Sequence, residues 1–174
     1  MSADRSSRRP PKPLYTAEER ERRDQSGWTL VQGVLAPVQF LVFLVSLVLV
    51  LRYLESGQGE RIAVVSVVVK TLTLYGIMIT GSIWEKVVFG RYLFAPAFYW
   101  EDLFSMLVLA LHTAYLAALA FGWLDARSLM IIALAAYASY AINATQFVLK
   151  LRTARLQSSL SERPSSRPRL EGAR

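Results

Sequence analysis

The sequence contains no cysteine and a single histidine, His112. The first absence excludes disulfides, zinc–thiolate sites, iron–sulfur clusters and cysteine nucleophiles. The second excludes a haem held by two histidines of one chain. Charge is missing from particular places: no Asp, Glu, Lys or Arg occurs between Trp28 and Leu51. A cleavable signal peptide is not visible either, since its apolar core would be about 7–15 residues long and followed by a small-residue cleavage site. The first apolar stretch is longer and ends in Arg52-Tyr53-Leu54-Glu55, so it is expected to remain in the membrane as a signal anchor.

What is present is apolar residue in blocks. Of 174 residues, 53% are hydrophobic and the mean hydropathy is +0.32. A soluble domain would spread such residues periodically, whereas here the charges fall between and outside long runs. The expected fold is an all-α integral membrane bundle of four transmembrane helices at about 28–51, 62–84, 96–121 and 129–149, each long enough for a hydrocarbon core of about 30 Å. Pro96 is expected in the first turn of the third span, and Pro37 inside the first. Residues 1–27 read as a basic tail with a short interfacial helix capped by Thr16, and 151–174 as a second basic, disordered tail.

The net charge of +7 lies mostly in these tails, with seven Lys or Arg before Trp28 and seven from Lys150 onward. Neither tail carries a nucleic-acid recognition module, so anionic lipid headgroups, not nucleic acid, are the expected partners. Short loops between spans one and two and between three and four are poor in Lys and Arg. An even number of spans then places both termini in the cytoplasm.

Ionisable groups inside a membrane are costly and often functional. The chain offers Lys70, Glu85, Glu101, Asp102 and His112. Glu101, Ser105 and His112 share one helical face, and Asp102 is one step around it. Thr71, Tyr75 and Ser82 form a stripe on the second span, with Glu85 emerging near the same side. Ser139, Asn143, Gln146 and Lys150 form one on the fourth. Polar stripes on three spans suggest a pocket with a wet inner mouth. Structural readings stand beside this: Lys70 snorkelling outward, Glu85 and Lys86 in interfacial ion pairs, Asp102 favouring a helix N-terminus, and His112 as a satisfied core residue. The Gln32 and Gln39 amides require partners inside the bundle.

Two stretches are more specific. They are Pro13-Leu14-Tyr15-Thr16-Ala17-Glu18-Glu19-Arg20 with Trp28-Thr29-Leu30-Val31-Gln32-Gly33-Val34-Leu35-Ala36-Pro37, and Trp84-Glu85-Lys86-Val87-Val88-Phe89-Gly90-Arg91-Tyr92-Leu93-Phe94-Ala95-Pro96 through Trp100-Glu101-Asp102 to Leu111-His112-Thr113-Ala114-Tyr115. Over roughly residues 13 to 151 the chain resembles the 3-vinyl bacteriochlorophyllide hydratases of bacteriochlorophyll synthesis. The resemblance implies a hydro-lyase of the bacterial inner (photosynthetic) membrane that adds water to the 3-vinyl group of chlorophyllide a or a close relative. The product would be the 3-(1-hydroxyethyl) pigment. It implies no cofactor, because the magnesium belongs to the substrate, and it makes contact with neighbouring pathway enzymes an expectation.

Such a hydration needs a proton on the terminal vinyl carbon and a water at the inner one. Glu101 is the expected general acid, with Asp102 or Glu85 positioning or deprotonating the water. His112 is expected to ligate the substrate magnesium or bond a ring substituent, with Tyr75, Asn143 and Gln146 as further substrate contacts. The competing reading is a non-catalytic pigment-binding or assembly protein that uses His112 alone. A transporter is a third class, but no internal repeat or pair of interrupted helices supports it.

Overall fold

The computed structural model describes residues 14–161, with side chains through residue 156. The expected tail at 1–13 and the end of the C-terminal one lie outside these residues. Five helices follow one another: α1 (Ala17–Gln25), α2 (Gly27–Ser56), α3 (Glu60–Phe89), α4 (Tyr99–Phe121) and α5 (Ala126–Ser161). All but α1 are long and apolar enough to cross a membrane. At 1.5 Å per residue α2 reaches about 45 Å and α4 about 34 Å, against a core of about 30 Å.

The bundle is two antiparallel hairpins, α2–α3 and α4–α5, each closely packed within itself and meeting the other along α2–α5 and α3–α4. The first hairpin turns through Gly57-Gln58-Gly59, where both glycines take left-handed backbone angles (φ 70° and 83°) that a Cβ would disfavour. Helix α2 continues through Pro37.

Several expected boundaries move. Glu85 and Lys86, expected just beyond the second span at 62–84, lie in the last turns of α3. Pro96 precedes α4 instead of opening it, because the chain remains irregular until Phe98. Helix α5 does not stop at Leu149. It runs to Ser161, since leaving the apolar layer removes no backbone hydrogen bond and Lys, Leu, Arg and Ala all favour helix.

Two cores result. The larger one fills the middle and the α2–α3 turn end, around Phe43, Val67, Val108, Tyr115 and Tyr137. The smaller closes the opposite end, where Tyr15, Val88 and Phe98 pack with Trp84, Phe89 and Phe147. Short α1 is fixed there by a reciprocal capping box between Thr16 and Glu19 and by Arg22 Nε donating to the Val88 carbonyl at 2.9 Å. Tyr15 stacks on Phe89 with ring centroids 5.7 Å apart, and its burial pushes the phenol pKa up.

Candidate functional site

The closed end holds a cluster of carboxyl groups. Glu85 lies in phase with the buried α3 residues Ala63, Val67, Lys70 and Leu74, so the 3.6-residue period turns it inward. It is 5% exposed, Glu101 8% and Asp102 4%. Glu101 and Asp102 both enter the interior because they lie on either side of the α4 stripe that continues through Ser105, Val108 and His112.

The three carboxyls are not equivalent. Lys150 of α5 donates to Glu101 Oε2 at 2.6 Å and lies 5.0 Å from the centre of the Phe98 ring. Glu101 is therefore an ion-pair partner that ties α4 to α5. Glu85 and Asp102 instead lie beside each other, and neither forms an ion pair among the described residues. Two buried carboxylates side by side repel each other, and a single proton shared between them would relieve that repulsion.

The loop between α3 and α4 wraps this pair. The Phe94 N–H donates to Asp102 Oδ2 at 2.7 Å and the Ala95 N–H to Glu85 Oε2 at 3.3 Å. Phe94 takes φ 59°, the one non-glycine residue with positive φ among those described. A bulky side chain in that region is strained, and such residues persist where the surroundings over-determine them. Gly90, also left-handed at φ 79°, ends α3 and starts the turn that brings these amides back.

The remaining expected residues separate into two groups. His112 is fully buried in mid-bundle, where its Nδ1–H donates to the Val108 carbonyl at 2.8 Å. That leaves Nε2 as acceptor, and it faces Lys70 Nζ at 2.8 Å. Both ring nitrogens are engaged, so magnesium could be ligated only after Lys70 moves away. Lys70 does not snorkel: it is fully buried and lies 4.1 Å from the Tyr140 ring centroid. Tyr137, against the His112 ring, shares a hydrogen bond with Ser46 of α2. The Tyr75 hydroxyl bonds Thr113 at 2.8 Å on the exposed side of the α3–α4 contact.

Asn143 and Gln146 lie between these two regions. Asn143 Nδ2 donates to Ser105 Oγ at 2.8 Å. Asn143 Oδ1 and Gln146 Oε1 are buried and have no hydrogen-bond partner. Gln32 finds the expected partner, donating to Thr80 Oγ1 at 2.8 Å. Gln39 does not: it is 1% exposed and neither amide atom is bonded. Two hollows, of about 70 and 300 Å³, are lined by Leu49, Arg52 and Gln58 at the hairpin turn and by Leu44, Val45 and Val48 on the outside of α2, and neither borders the polar stripes.

The backbone amides of Phe94 and Ala95 and the Gln39 side chain escaped the sequence reading of the site. Gln39 alone left a signal, an amide inside an uncharged span.

Fold and site together describe a polytopic α-helical membrane protein with a buried cluster of carboxyl groups at one end of its bundle. The pattern of the 2-vinyl bacteriochlorophyllide hydratase family (BCHF) matches residues 15–153, and the chain belongs to that family. It is 65% identical to the 2-vinyl bacteriochlorophyllide hydratase of Rhodobacter capsulatus over 148 residues, covering 85% of this chain and 86% of that one. With the protein of the same name from Cereibacter sphaeroides the identity is 60%, over 84% and 91% of the two chains. No solved structure matches the chain. Older numbering of the macrocycle gives position 2 to the vinyl group that systematic numbering places at position 3.

Proposed function

We propose that this protein hydrates the 3-vinyl group of chlorophyllide a or a close relative, giving the 3-(1-hydroxyethyl) product of bacteriochlorophyll synthesis, and that Glu85 and Asp102 carry the chemistry. The observation behind this is the placement of two buried carboxyls side by side, each taking one loop amide and neither an ion-pair partner among the described residues. Two such neighbours do not both ionise readily, which favours one neutral carboxylic acid in an apolar surrounding, as protonation of an alkene carbon requires.

The protonated carboxyl delivers its proton to the terminal vinyl carbon, and the π electrons form the new C–H bond. Positive charge on the inner carbon spreads into the macrocycle. Water attacks there, forming the C–O bond, and its surplus proton goes to the carboxylate just created. The pair ends with the one proton it began with. No redox cofactor enters, and magnesium remains part of the substrate.

Glu101, expected as the acid, here has the role of holding α5 and the loop side of the centre through Lys150. His112 serves as a cross-link to Lys70, which leaves the non-catalytic pigment-binding reading without its ligand. The basic segments flanking the bundle favour a cytoplasmic location for both termini, and the family favours the bacterial photosynthetic membrane. The flat, apolar substrate approaches from the bilayer beside the exposed Tyr92, Tyr99 and Trp100. Handover of the greasy product favours contact with a neighbouring pigment enzyme.

Purified protein in lipid nanodiscs, given chlorophyllide a, should raise the pigment mass by one water. Absence of that product would reject the hydratase reading. Normal turnover by Asp102→Asn would reject the assignment of the acid–base pair.

A further inference from the structure

The bonds between α2 and α5 set a register. Ser46 meets Tyr137 and Phe43 packs on Tyr140, with centroids 4.9 Å apart. The helices run antiparallel, so one turn toward the carboxyl end brings Gln39 opposite Asn143. Both are buried, at 1% and 8% exposure. Both Gln39 amide atoms and Asn143 Oδ1 are unbonded, and the register sets the two side chains at the same level of the bundle interior. Leaving such groups unpaired is unfavourable, and native proteins seldom do so without a reason. Between them they offer an N–H donor and two carbonyl acceptors, the complement of one water molecule.

This layer is placed for the reaction. Asn143 is bonded to Ser105, which lies three residues along α4 from Asp102. That is about 4.5 Å of helix rise, on the same inward stripe. In the proposed reaction the vinyl group would lie between a proton donor at Asp102 and a nucleophile one turn further in.

We infer that Gln39 and Asn143 form the site that holds the attacking water, which rests on the hydratase reading above. Gln39 donates through Nε2–H to the water oxygen and Asn143 Oδ1 accepts one water hydrogen, which leaves the other to pass to the carboxylate as the C–O bond forms. Neutral amides suit this task, because a carboxylate there would bond covalently to the carbocation and a cation would repel it. Held on one face of the vinyl plane, the water attacks from that face alone. The two amides are thus positioning residues, and they set the configuration of the new carbinol carbon.

The test compares wild type with Gln39→Met and Asn143→Leu in nanodiscs, measuring kcat, KM and the ratio of carbinol epimers by chiral chromatography. Wild type is expected to give one epimer in large excess. Each variant is expected to lose about tenfold to a hundredfold in kcat, as for misplacement of a reactant by about 1 Å, with KM within about threefold and the epimer ratio moved toward one. Gln39→Met removes an unpaired amide at nearly constant volume, so its melting temperature should hold or rise. Should it fail to insert, Asn143→Leu decides by the same readouts. Wild-type kcat and wild-type epimer excess in the variants would overturn the water site while leaving the hydratase reading intact. A wild type that hydrates nothing would instead remove the hydratase reading itself.

Discussion

Two regions of this bundle bury titratable side chains, and they differ in who answers them. At the closed end, Glu85 and Asp102 face each other and take hydrogen bonds from the Phe94 and Ala95 amides of an irregular loop. In mid-bundle, Lys70 and His112 are answered by helix: the Val108 carbonyl, and the Tyr137 and Tyr140 rings. The first region sets two neighbouring carboxyls beside a backbone held in strain at Phe94. The second is sealed between three helices, with no carboxylate to form a salt bridge among the described residues. Equal burial therefore does not mean equal surroundings; under the proposed function the loop-fed carboxyls serve chemistry and the helix-locked bases cohesion.

The widest test of this contrast is to remove the proton-bearing groups. Asp102→Asn and Glu85→Gln keep shape and most hydrogen bonds, yet neither amide can donate a proton to carbon. Turnover is expected to fall about 10²–10⁴-fold, the range for loss of a general acid or base, with pigment affinity in equilibrium titration nearly unchanged. Retention of more than a tenth of wild-type kcat in both variants would dissolve the distinction between the two regions.

The opposite pattern is expected in mid-bundle. His112→Phe leaves a buried lysine without its acceptor, which costs about 2–3 kcal/mol of stability. Changing both partners, His112→Phe with Lys70→Met, should recover most of that loss, since apolar groups of similar volume replace a buried polar pair nearly neutrally. Thermal unfolding in detergent reads the difference, and kcat per folded molecule should stay within about threefold of wild type, far above the loss of a general acid. A loss of pigment affinity in His112→Phe, not repaired in the double variant, would restore the ligand role.

How much of this the sequence made legible follows the same division. The four spans were plain, because an apolar run of helix length with at most two charges has few alternatives in water. The short capped helix at Thr16 was plain too, from its S/T-x-x-E spacing. Which way a long side chain points was not. Lys70 could have snorkelled, and only the packing of Tyr140 and His112 around it turns it inward. Glu85 read as a linker residue because charge beside Lys86 and Arg91 suggested an interface; its phase with Val67 and Leu74 was the overlooked signal. Glu101 and Asp102 could be seen as adjacent acids, but not that Lys150 would claim the first and leave the second to Glu85. The amides of Phe94 and Ala95 were beyond reach, since no residue type marks a backbone N–H that a turn will redirect.

A smaller effect tests whether the ion pair belongs with chemistry or with cohesion. Lys150→Met removes the 2.6 Å bond to Glu101, and Glu101→Gln keeps a weaker, uncharged acceptor. Each is expected to lower stability by about 1–2 kcal/mol, the scale of a hydrogen bond to a charged group, and kcat by less than the Asp102 variant does. Loss of activity in Glu101→Gln as large as in Asp102→Asn would return the general acid to Glu101 and redraw the boundary of the catalytic region.

The smallest effect concerns how the closed end is kept closed. Helix α1 has nine residues, too few to hold its shape alone, so its order depends on the capping box and on what it touches. Thr16 Oγ1 accepts from the Glu19 N–H at 3.2 Å and Glu19 Oε2 accepts from the Thr16 N–H at 2.8 Å. Thr16→Ala breaks the first of these, at a cost of about 0.5–2 kcal/mol. Arg22 and Tyr15 still tie α1 to Val88 and Phe89, so the helix should fray at its start while remaining docked. Hydrogen exchange is therefore expected to quicken at the amides of Glu18 and Glu19 and to stay unchanged at Phe94 and Ala95. Faster exchange at Phe94 as well would mean that α1 is part of the clamp on the carboxyl pair, and the loop-fed region would then extend from the α3–α4 connection to the N-terminal helix.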